Sequence, residues 1–407
     1  MTLFRTYKLE DLLKAIFSGG TPSTTHPEYW NGEFPWLSSG ETNQPYISKT
    51  EKTITQEGIN QSSTRFAPPG AVVMASAGQG KTRGQTSFLK IGVYINQSII
   101  AMVPDETQLL AKYLYYNLQF RYDELRSSSD SSSTRGSITT ELLKTLKITI
   151  PDLPTQEKIA SILSAYDDAI ENNNKRIKIL EKMAENLYRE WFVRMRFPGH
   201  ETAEYENGLP KGWKRGRLDS FYKTTSGGTP SRSNNDFFLA GTIPWIKTGE
   251  LRDTIILDTE EKITDLAVKK SAAKMIPANT LLMAMYGVNI GYLGITCMNS
   301  TCNQACCVFL DKQDISTLNY LFHYLKSIRE YLFLIGFGAA QQNLSQDLIR
   351  KIKIIMPSEK LIRSFEQQQN IILKNIQNLL SRNRNLAQQR NQLLPRLMSG
   401  KMEVTSR

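Results

Sequence analysis

The sequence predicts an α+β protein built from two copies of one domain, each followed by a long helix. One observation is an internal repeat. Ser-Gly-Gly-Thr-Pro-Ser at residues 18–23 returns at residues 226–231, and Pro35-Trp36 returns as Pro244-Trp245. Solenoid repeats have periods of about 20–50 residues, so an offset above 200 residues indicates a duplicated domain. The other observation is a heptad pattern of apolar residues after each copy.

Each copy combines short apolar runs with turn residues and one amphipathic stretch. The runs are bounded by Gly, Ser and Thr, which is typical of strands. Those of the first copy are residues 71–75, 97–103 and 146–150. Apolar residues at helical spacing predict a helix over residues 109–126. Residues 213–356 repeat this mixture, which favours two α+β globules.

The heptad patterns predict two helices of about 40 residues, each roughly 60 Å long. Apolar residues alternate at steps of four and three from Ile159 to Trp191 and again from Ile362 to Leu397. We expect the helices to pair as an antiparallel coiled coil with pseudo-twofold symmetry, because the first helix leads from one copy to the other. Pairing with helices of other subunits is the alternative. Asn173 and Asn383 interrupt the two seams, where polar residues weaken a coil but can fix its register.

These patterns divide the chain into four parts. They are a first globular domain (1–150), a first helix (151–197), a linker with the second domain (198–356), and a second helix with a C-terminal tail (357–407).

Charge and composition narrow the classes of function. A net charge of +11 favours a polyanionic partner, most commonly nucleic acid. A membrane span would need a run of about 18 uncharged apolar residues, and no stretch of the sequence approaches this. The N-terminus also lacks the pattern of a secretory signal, so we expect a cytoplasmic protein. The four cysteines lack the paired spacing of zinc sites, which favours buried thiols and no metal.

Candidate DNA contacts lie at matched turns of the two copies. The hairpin tip at residues 78–82 matches residues 287–291, and the polar segment 127–137 matches 336–343. Arg and Lys favour guanine in the major groove, whereas Gln and Asn favour adenine. A solvated turn or a plain linker is the alternative at each position. The predicted contacts are Thr21, Ser23, Gln79, Lys81, Arg83, Arg135, Thr229, Ser231, Lys247, Tyr286, Asn289, Gln341 and Asn343.

No catalytic motif is complete. A phosphate loop needs Gly five residues before Gly80, and that position is Ala75. Asp253, Glu260 and Lys262 have only the loose spacing of a nuclease site. The chain also lacks a nucleophile elbow, an H-E-x-x-H helix and an adenine-methyltransferase motif. A self-sufficient Mg-dependent nuclease or NTPase is therefore disfavoured, and a coiled-coil adaptor without DNA specificity is the further alternative.

The motifs around the helices resemble those of specificity subunits of Type I restriction-modification systems. The residues carrying the resemblance are Leu-Pro-Thr-Gln-Glu-Lys-Ile-Ala at 153–160, Glu-Asn-Asn-Asn-Lys-Arg-Ile at 171–177, and Leu-Tyr-Arg-Glu-Trp-Phe at 187–192, together with the turns that open each copy. The second helix departs from the first in being richer in Gln and Asn. The docking surfaces of the two halves are therefore expected to be unequal.

The resemblance implies two target recognition domains that read a bipartite, asymmetric site on double-stranded DNA. It implies a non-catalytic subunit holding two methyltransferase subunits and, in the full complex, restriction subunits. A fused methyltransferase-nuclease is a related possible partner. S-adenosylmethionine, ATP and Mg would belong to the partner subunits. Tyr188, Trp191 and Phe192 are candidates for docking a partner, or for packing against the neighbouring domain.

Overall fold

Two units share the chain. A computed structural model describes residues 4–78, 80–132, 136–312, 316–337 and 343–404. Unit 1 comprises Met1–Glu171 and Arg384–Arg407, and unit 2 comprises Asn172–Asn383. The partition falls inside both long helices. Each unit therefore contains one globular domain and a stretch of each helix.

The strands that the two units share follow the same order, whereas the pair β12-β13 occurs in unit 2 and β6 in unit 1. Those of unit 1 are β1 (Arg5–Lys8), β2 (Leu13–Ser18), β3 (Trp30–Leu37), β4 (Tyr46–Ile47), β5 (Lys52–Ile54), β6 (Arg65–Ala67), β7 (Val72–Ala75), β8 (Thr86–Leu89), β9 (Val93–Ile95), β10 (Ile99–Pro104) and β11 (Lys147–Ile150). Those of unit 2 are β12 (Tyr205–Glu206), β13 (Leu209–Pro210), β14 (Lys214–Arg217), β15 (Tyr222–Ser226), β16 (Ile243–Ile246), β17 (Thr254–Ile256), β18 (Lys262–Ile263), β19 (Thr280–Ala284), β20 (Leu293–Thr296), β21 (Thr301–Cys302), β22 (Cys306–Asp311) and β23 (Lys353–Met356).

Sheet topology confirms the duplication. The main sheet of unit 1 has the order β2-β10-β7-β8-β4, and that of unit 2 has the corresponding order β15-β22-β19-β20-β17. A second sheet orders β5-β3-β9-β6 in unit 1 and β18-β16-β21 in unit 2, and the pairs β1-β11 and β14-β23 close each domain. The central strands β7 and β19 are buried throughout, as continuous apolar runs require.

The helices are mostly short, apart from the two that the heptads predict. They are α1 (Gln56–Asn60), α2 (Ala111–Phe120), α3 (Tyr122–Ser132), α4 (Thr140–Thr145), α5 (Leu153–Tyr188), α6 (Leu218–Phe221), α7 (Asp265–Lys270), α8 (Leu318–Ser327), α9 (Arg329–Phe337), α10 (Gln346–Lys351) and α11 (Glu359–Met398). The single helix predicted over residues 109–126 is wrong in its continuity. It breaks at Arg121, whose guanidinium binds the Lys147 carbonyl at 2.7 Å and the Glu124 carboxylate.

The long helices pair antiparallel within each unit, as predicted. In unit 1, Ile159 and Leu163 share an apolar cluster with Leu397. In unit 2, Ile177 packs in a cluster with Ile376 and Leu379. Residue numbers rise along one helix as they fall along the other. The predicted fold class, two α+β domains joined to an antiparallel helix pair, is confirmed.

Each long helix is fastened to the domain before it by a side chain that caps a shorter helix. The Oε1 atom of Gln156 accepts from the Leu110 amide at 2.9 Å, at the start of α2. Glu366 does the same in unit 2, where its Oε1 atom accepts from the Tyr320 amide at 2.9 Å near the start of α8. Both side chains are buried. They satisfy amides that the first turn of a helix leaves without partners.

Candidate nucleic-acid interface

The Gly-Gly-Thr-Pro turns are places where two backbones meet closely. The Gly20 amide donates to the Ile95 carbonyl at 3.1 Å. A Cβ atom on Gly19 would stand 2.0 Å from the Ile95 carbonyl oxygen, and one on Gly227 would stand 1.8 Å from that of Cys302. Only glycine fits these positions. The turn repeats in both copies because the same close approach repeats.

The threonines of these turns bind glutamines that the internal repeat also contains. The Thr21 hydroxyl donates to Gln97 Oε1 at 2.5 Å, and Thr229 binds Gln304 in the same way. Both threonines are exposed, as are Ser23 and Ser231. These predicted DNA contacts therefore lie on open surface, with the threonines held in fixed orientation.

Tryptophan and glutamate residues at matched positions of the two copies stabilise the adjoining loops. The indole nitrogen of Trp245 donates to the Gly228 carbonyl at 3.1 Å, and that of Trp36 to Gly20 at 3.4 Å. Two carboxylates each bridge the start of a short 3-10 helix and a second loop ten residues farther on. Glu41 accepts from the amides of Ser38 (3.0 Å) and Glu51 (2.8 Å), and Glu250 accepts from those of Lys247 and Glu260 (both 2.8 Å).

Lys247 is held by acidic neighbours in unit 2. Its ammonium lies 2.6 Å from Glu261 and 3.3 Å from Glu260, and the hydrogen bond to Glu261 raises the pKa of Lys247. The Arg232 guanidinium binds the same Glu261 at 2.5 Å and lowers the pKa of that carboxyl to about 2. A phosphate contact by Lys247 would have to replace these bonds.

The two cations predicted to contact DNA in the hairpin between β7 and β8 differ in exposure. Lys81 is exposed, and its carbonyl accepts from the Tyr122 hydroxyl at 2.8 Å. Arg83 is only 8% exposed, and its guanidinium binds the Asp130 carboxylate and the Gly136 carbonyl. Lys81 is thus free to face a ligand, whereas Arg83 ties the hairpin to α3 and to Gly136 beyond it. Gln79 lies outside the described residues.

The same segment is also not a phosphate loop. It joins two antiparallel strands, whose ends are closed by the hydrogen bond from the Gly84 amide to the Ala75 carbonyl at 2.8 Å. A phosphate loop instead leads from a strand into a helix, whose amides bind the phosphates.

The matching loop of unit 2 presents a residue that the sequence did not single out. Val288 is 95% exposed at its tip, between Gly287 and Asn289, whereas Ile290, at the position of Lys81, is buried. The side-chain nitrogen Nδ2 of Asn289 donates to the Thr248 carbonyl at 3.0 Å, which fixes the loop. Tyr286 forms an isolated bridge with Asn343. An apolar residue in a short loop bounded by Gly287 and Gly291 was the available signal.

The polar segments lie beside these hairpins in both units. The Ile138 amide donates to the Ser76 carbonyl at 2.9 Å, and the Leu344 amide donates to Met285 at 2.8 Å. The sequence alignment of Ile138 with Leu344 therefore matches equivalent backbone contacts. The expectation that residues 127–137 form a turn is wrong for the first part of this segment, because α3 continues to Ser132. Arg135 and Gln341 lie outside the described residues.

The predicted partner-docking residues pack within unit 2. Tyr188 and Trp191 are 5% and 6% exposed, and the ring of Phe192 lies 4.8 Å from that of Phe365. Tyr188 also stacks on His323 at 5.5 Å. The aromatic excess at the end of α5 is thus used inside the unit, and only part of Tyr188 and Phe192 borders open space.

The loose nuclease pattern is not assembled into a site. Asp253 binds Arg329, Glu260 binds Lys247, and Lys262 binds Asp258 at 3.2 Å. Cys306 and Cys307 are buried in β22, and burial raises the pKa of the Cys307 thiol. None of the helices in the described ranges is long and apolar enough to cross a membrane.

The chain belongs to the family described as the Type I restriction modification DNA specificity domain, whose model matches residues 1–182 and 210–396. It is 26% identical to the Type I restriction enzyme MjaIX specificity subunit of Methanocaldococcus jannaschii, covering 98% of this chain and 93% of that protein. The HindI specificity subunit of Haemophilus influenzae is 24% identical, over 76% and 81% of the two chains. The fold also matches the S subunit from M. genitalium, with a TM-score of 0.60 at 14% identity, over 99% of this chain and 97% of that one. The chain is accordingly a DNA sequence-recognition subunit.

Proposed function

We propose that each unit reads one half of a split, asymmetric site on double-stranded DNA. The observation that carries this proposal is that the two units share the same turn structure but expose different residues at the tips of the adjacent hairpins. Both units build the same turn from Gly-Gly-Thr, Trp and Glu, yet the hairpins beside it present Lys81 in unit 1 and Val288 in unit 2. A lysine can donate to guanine, whereas a valine can contact the methyl group of thymine. Unlike tips on a shared scaffold favour two unlike half-sites.

We further propose that this subunit performs no chemistry itself and positions partners that do. Two methyltransferase subunits, and restriction subunits in the full complex, would supply the reactions. S-adenosylmethionine, ATP and Mg would then be bound by those partners. Asp253, Glu260 and Lys262 each form an ion pair with a different residue outside this set, which argues against a nuclease site in this subunit.

Mapping of methylated bases tests the proposal. A host carrying the methyltransferase should show one split motif when this chain is co-expressed, and no such motif without it. The Lys81→Ala variant should relax the specificity of one half of the motif, and Val288→Ala that of the other. A methylome that is the same with and without this chain would contradict DNA recognition.

A further inference from the structure

Unit 2 contains an aromatic groove of about 770 Å³ to which the proposed reading of DNA assigns no role. It lies between the end of α5, helix α8 and the sheet β14-β23. Its walls include the rings of Phe192, Trp213, Tyr320 and Tyr324. Apart from the tyrosine hydroxyls and the indole nitrogen, these side chains offer apolar surface.

The walls of the groove are fixed by the domain itself. The Tyr320 hydroxyl donates to the Ile355 carbonyl and the Tyr324 hydroxyl to the Lys353 carbonyl, both on β23. The rings of Phe192 and Tyr320 meet edge to face at 4.9 Å. A ligand would therefore meet ordered rings, and binding would cost little side-chain entropy.

The rim of the groove is positively charged. Arg215 and Lys353 are exposed, and within the described ranges neither has a carboxylate within 4 Å. Arg217 also borders the groove, although it is paired with Asp219 at 2.6 Å. Two uncompensated cations beside an apolar recess complement a ligand that combines carboxylates with an apolar side chain.

From this complementarity we infer that the groove docks an acidic polypeptide segment of the methyltransferase partner, with an apolar side chain seated among the rings. This inference rests on the proposed function. Tyr, Trp, Phe, Met and Arg are the residue types enriched at the centres of protein interfaces, and they dominate this groove. The phosphates of duplex DNA could bind the cations, but they would make no favourable contact with the recessed aromatic rings.

Two of the side chains that form the groove in unit 2 are replaced at the equivalent positions of unit 1. By strand register and helix position, Thr6 stands in unit 1 where Arg215 stands in unit 2, and Asn117 stands in place of Tyr324. One cation and one ring are therefore missing from the equivalent place. If two methyltransferase subunits bind, only one of them uses this groove.

Charge reversal in the full-length chain tests the inference. The Arg215→Glu/Lys353→Glu variant, co-expressed with the methyltransferase, should lose one methyltransferase subunit from the complex by native mass spectrometry, or bind it at least 10-fold more weakly. Lys269→Glu/Lys270→Glu, an equal charge change in α7 of the same unit, should assemble normally. Tyr324→Asn, which installs the residue of unit 1, should weaken assembly without any change of charge.

The other outcomes separate the explanations. Complete assembly of both groove variants would overturn the inference and leave DNA recognition standing. Normal assembly with weakened DNA binding would also overturn it, because the groove would then be a DNA surface. Failure of the unaltered chain to bind any methyltransferase would contradict the proposed function and the inference together.

Discussion

Asn173 donates its side-chain amide to Asn383 Oδ1 at 2.8 Å, which joins the two long helices at the polar positions of their seams. Asn383 in turn donates to Asn174 Oδ1 at 2.8 Å. A polar pair on an apolar seam costs stability compared with apolar residues, but it is satisfied in only one register. The pair therefore selects how the helices align.

Replacing one member of this pair should be harmful and replacing both should not. Asn383→Leu removes both hydrogen bonds and leaves Asn173 buried without its partner, so we expect a loss of about 1–3 kcal/mol in urea unfolding. Asn173→Leu/Asn383→Leu should recover most of that loss. Asn378→Leu, at an exposed position of α11, is the control. Equal stability of Asn383→Leu and the control would contradict the register role.

Arg390, on the seam of the second helix, neutralises a buried carboxylate in unit 1. Its guanidinium binds Asp167, whose side chain is 1% exposed and also accepts from the Tyr116 hydroxyl at 2.6 Å. Arg390→Leu leaves that charge uncompensated and should destabilise the protein by about 3–5 kcal/mol in chemical denaturation. Arg396→Leu, at an exposed position on the same helix, should change stability little. A similar result for both variants would exclude the ion pair as the cause.

Two buried groups of unit 2 give opposite dependences of stability on pH. Burial raises the pKa of Glu366 to about 7 and lowers that of His323 to about 4. Folded Glu366 binds more protons than the unfolded chain between pH 4.5 and 7, so its contribution falls as pH rises. Folded His323 binds fewer between pH 4 and 6.5, so its contribution rises.

The two contributions largely cancel in the unaltered protein, and single substitutions should expose them. Glu366→Gln should become more stable from pH 4 to 6.5, by up to about 3 kcal/mol, at 1.36 kcal/mol per pKa unit. His323→Gln should become less stable from pH 4.5 to 7. Thermal unfolding across this range measures both. Parallel profiles for the two variants would show that these groups do not titrate as described.

The bridging carboxylates should control the half-sites separately. Glu41→Gln and Glu250→Gln each weaken two charge-assisted hydrogen bonds to loop amides, one in each unit. We expect each variant to relax one half of the methylated motif and leave the other intact. Loss of specificity in both halves from a single substitution would indicate that the units do not read DNA independently.

Although Lys81 and Arg83 lie two residues apart, substitution of Lys81 should affect DNA binding and substitution of Arg83 should affect stability. Lys81→Ala removes an exposed cation and should weaken DNA binding, lowering the slope of log K against log salt by about 1 if it neutralises a phosphate. Arg83→Ala breaks the bonds to Asp130 and Gly136 and should lower the unfolding temperature. If Lys81→Ala instead lowers the unfolding temperature and leaves DNA affinity unchanged, the surface assignment is wrong.

Local sequence patterns predicted the long helices and the glycine turns, but they did not predict which side chains point outward and which point inward. The heptads located both helices because burial repeats every three or four residues along a helix. The turn sequences located the scaffold because close backbone approach admits only glycine. By contrast, nothing in the pattern Gly-Gln-Gly-Lys-Thr-Arg distinguishes Lys81 from Arg83, since Asp130 and Gly136 are about 50 residues away.

The sequence by itself determined the duplication, the helix pair and the polar seam positions, since these depend on periodicity and on matched turns. Tertiary structure alone decided that Arg83 points inward, that Val288 replaces buried Ile290 as the exposed tip, and that Gln156 and Glu366 attach the long helices to their domains. It also created the aromatic groove from four separate segments. Each of these depends on which distant residues meet, and such meetings follow from packing of the whole unit.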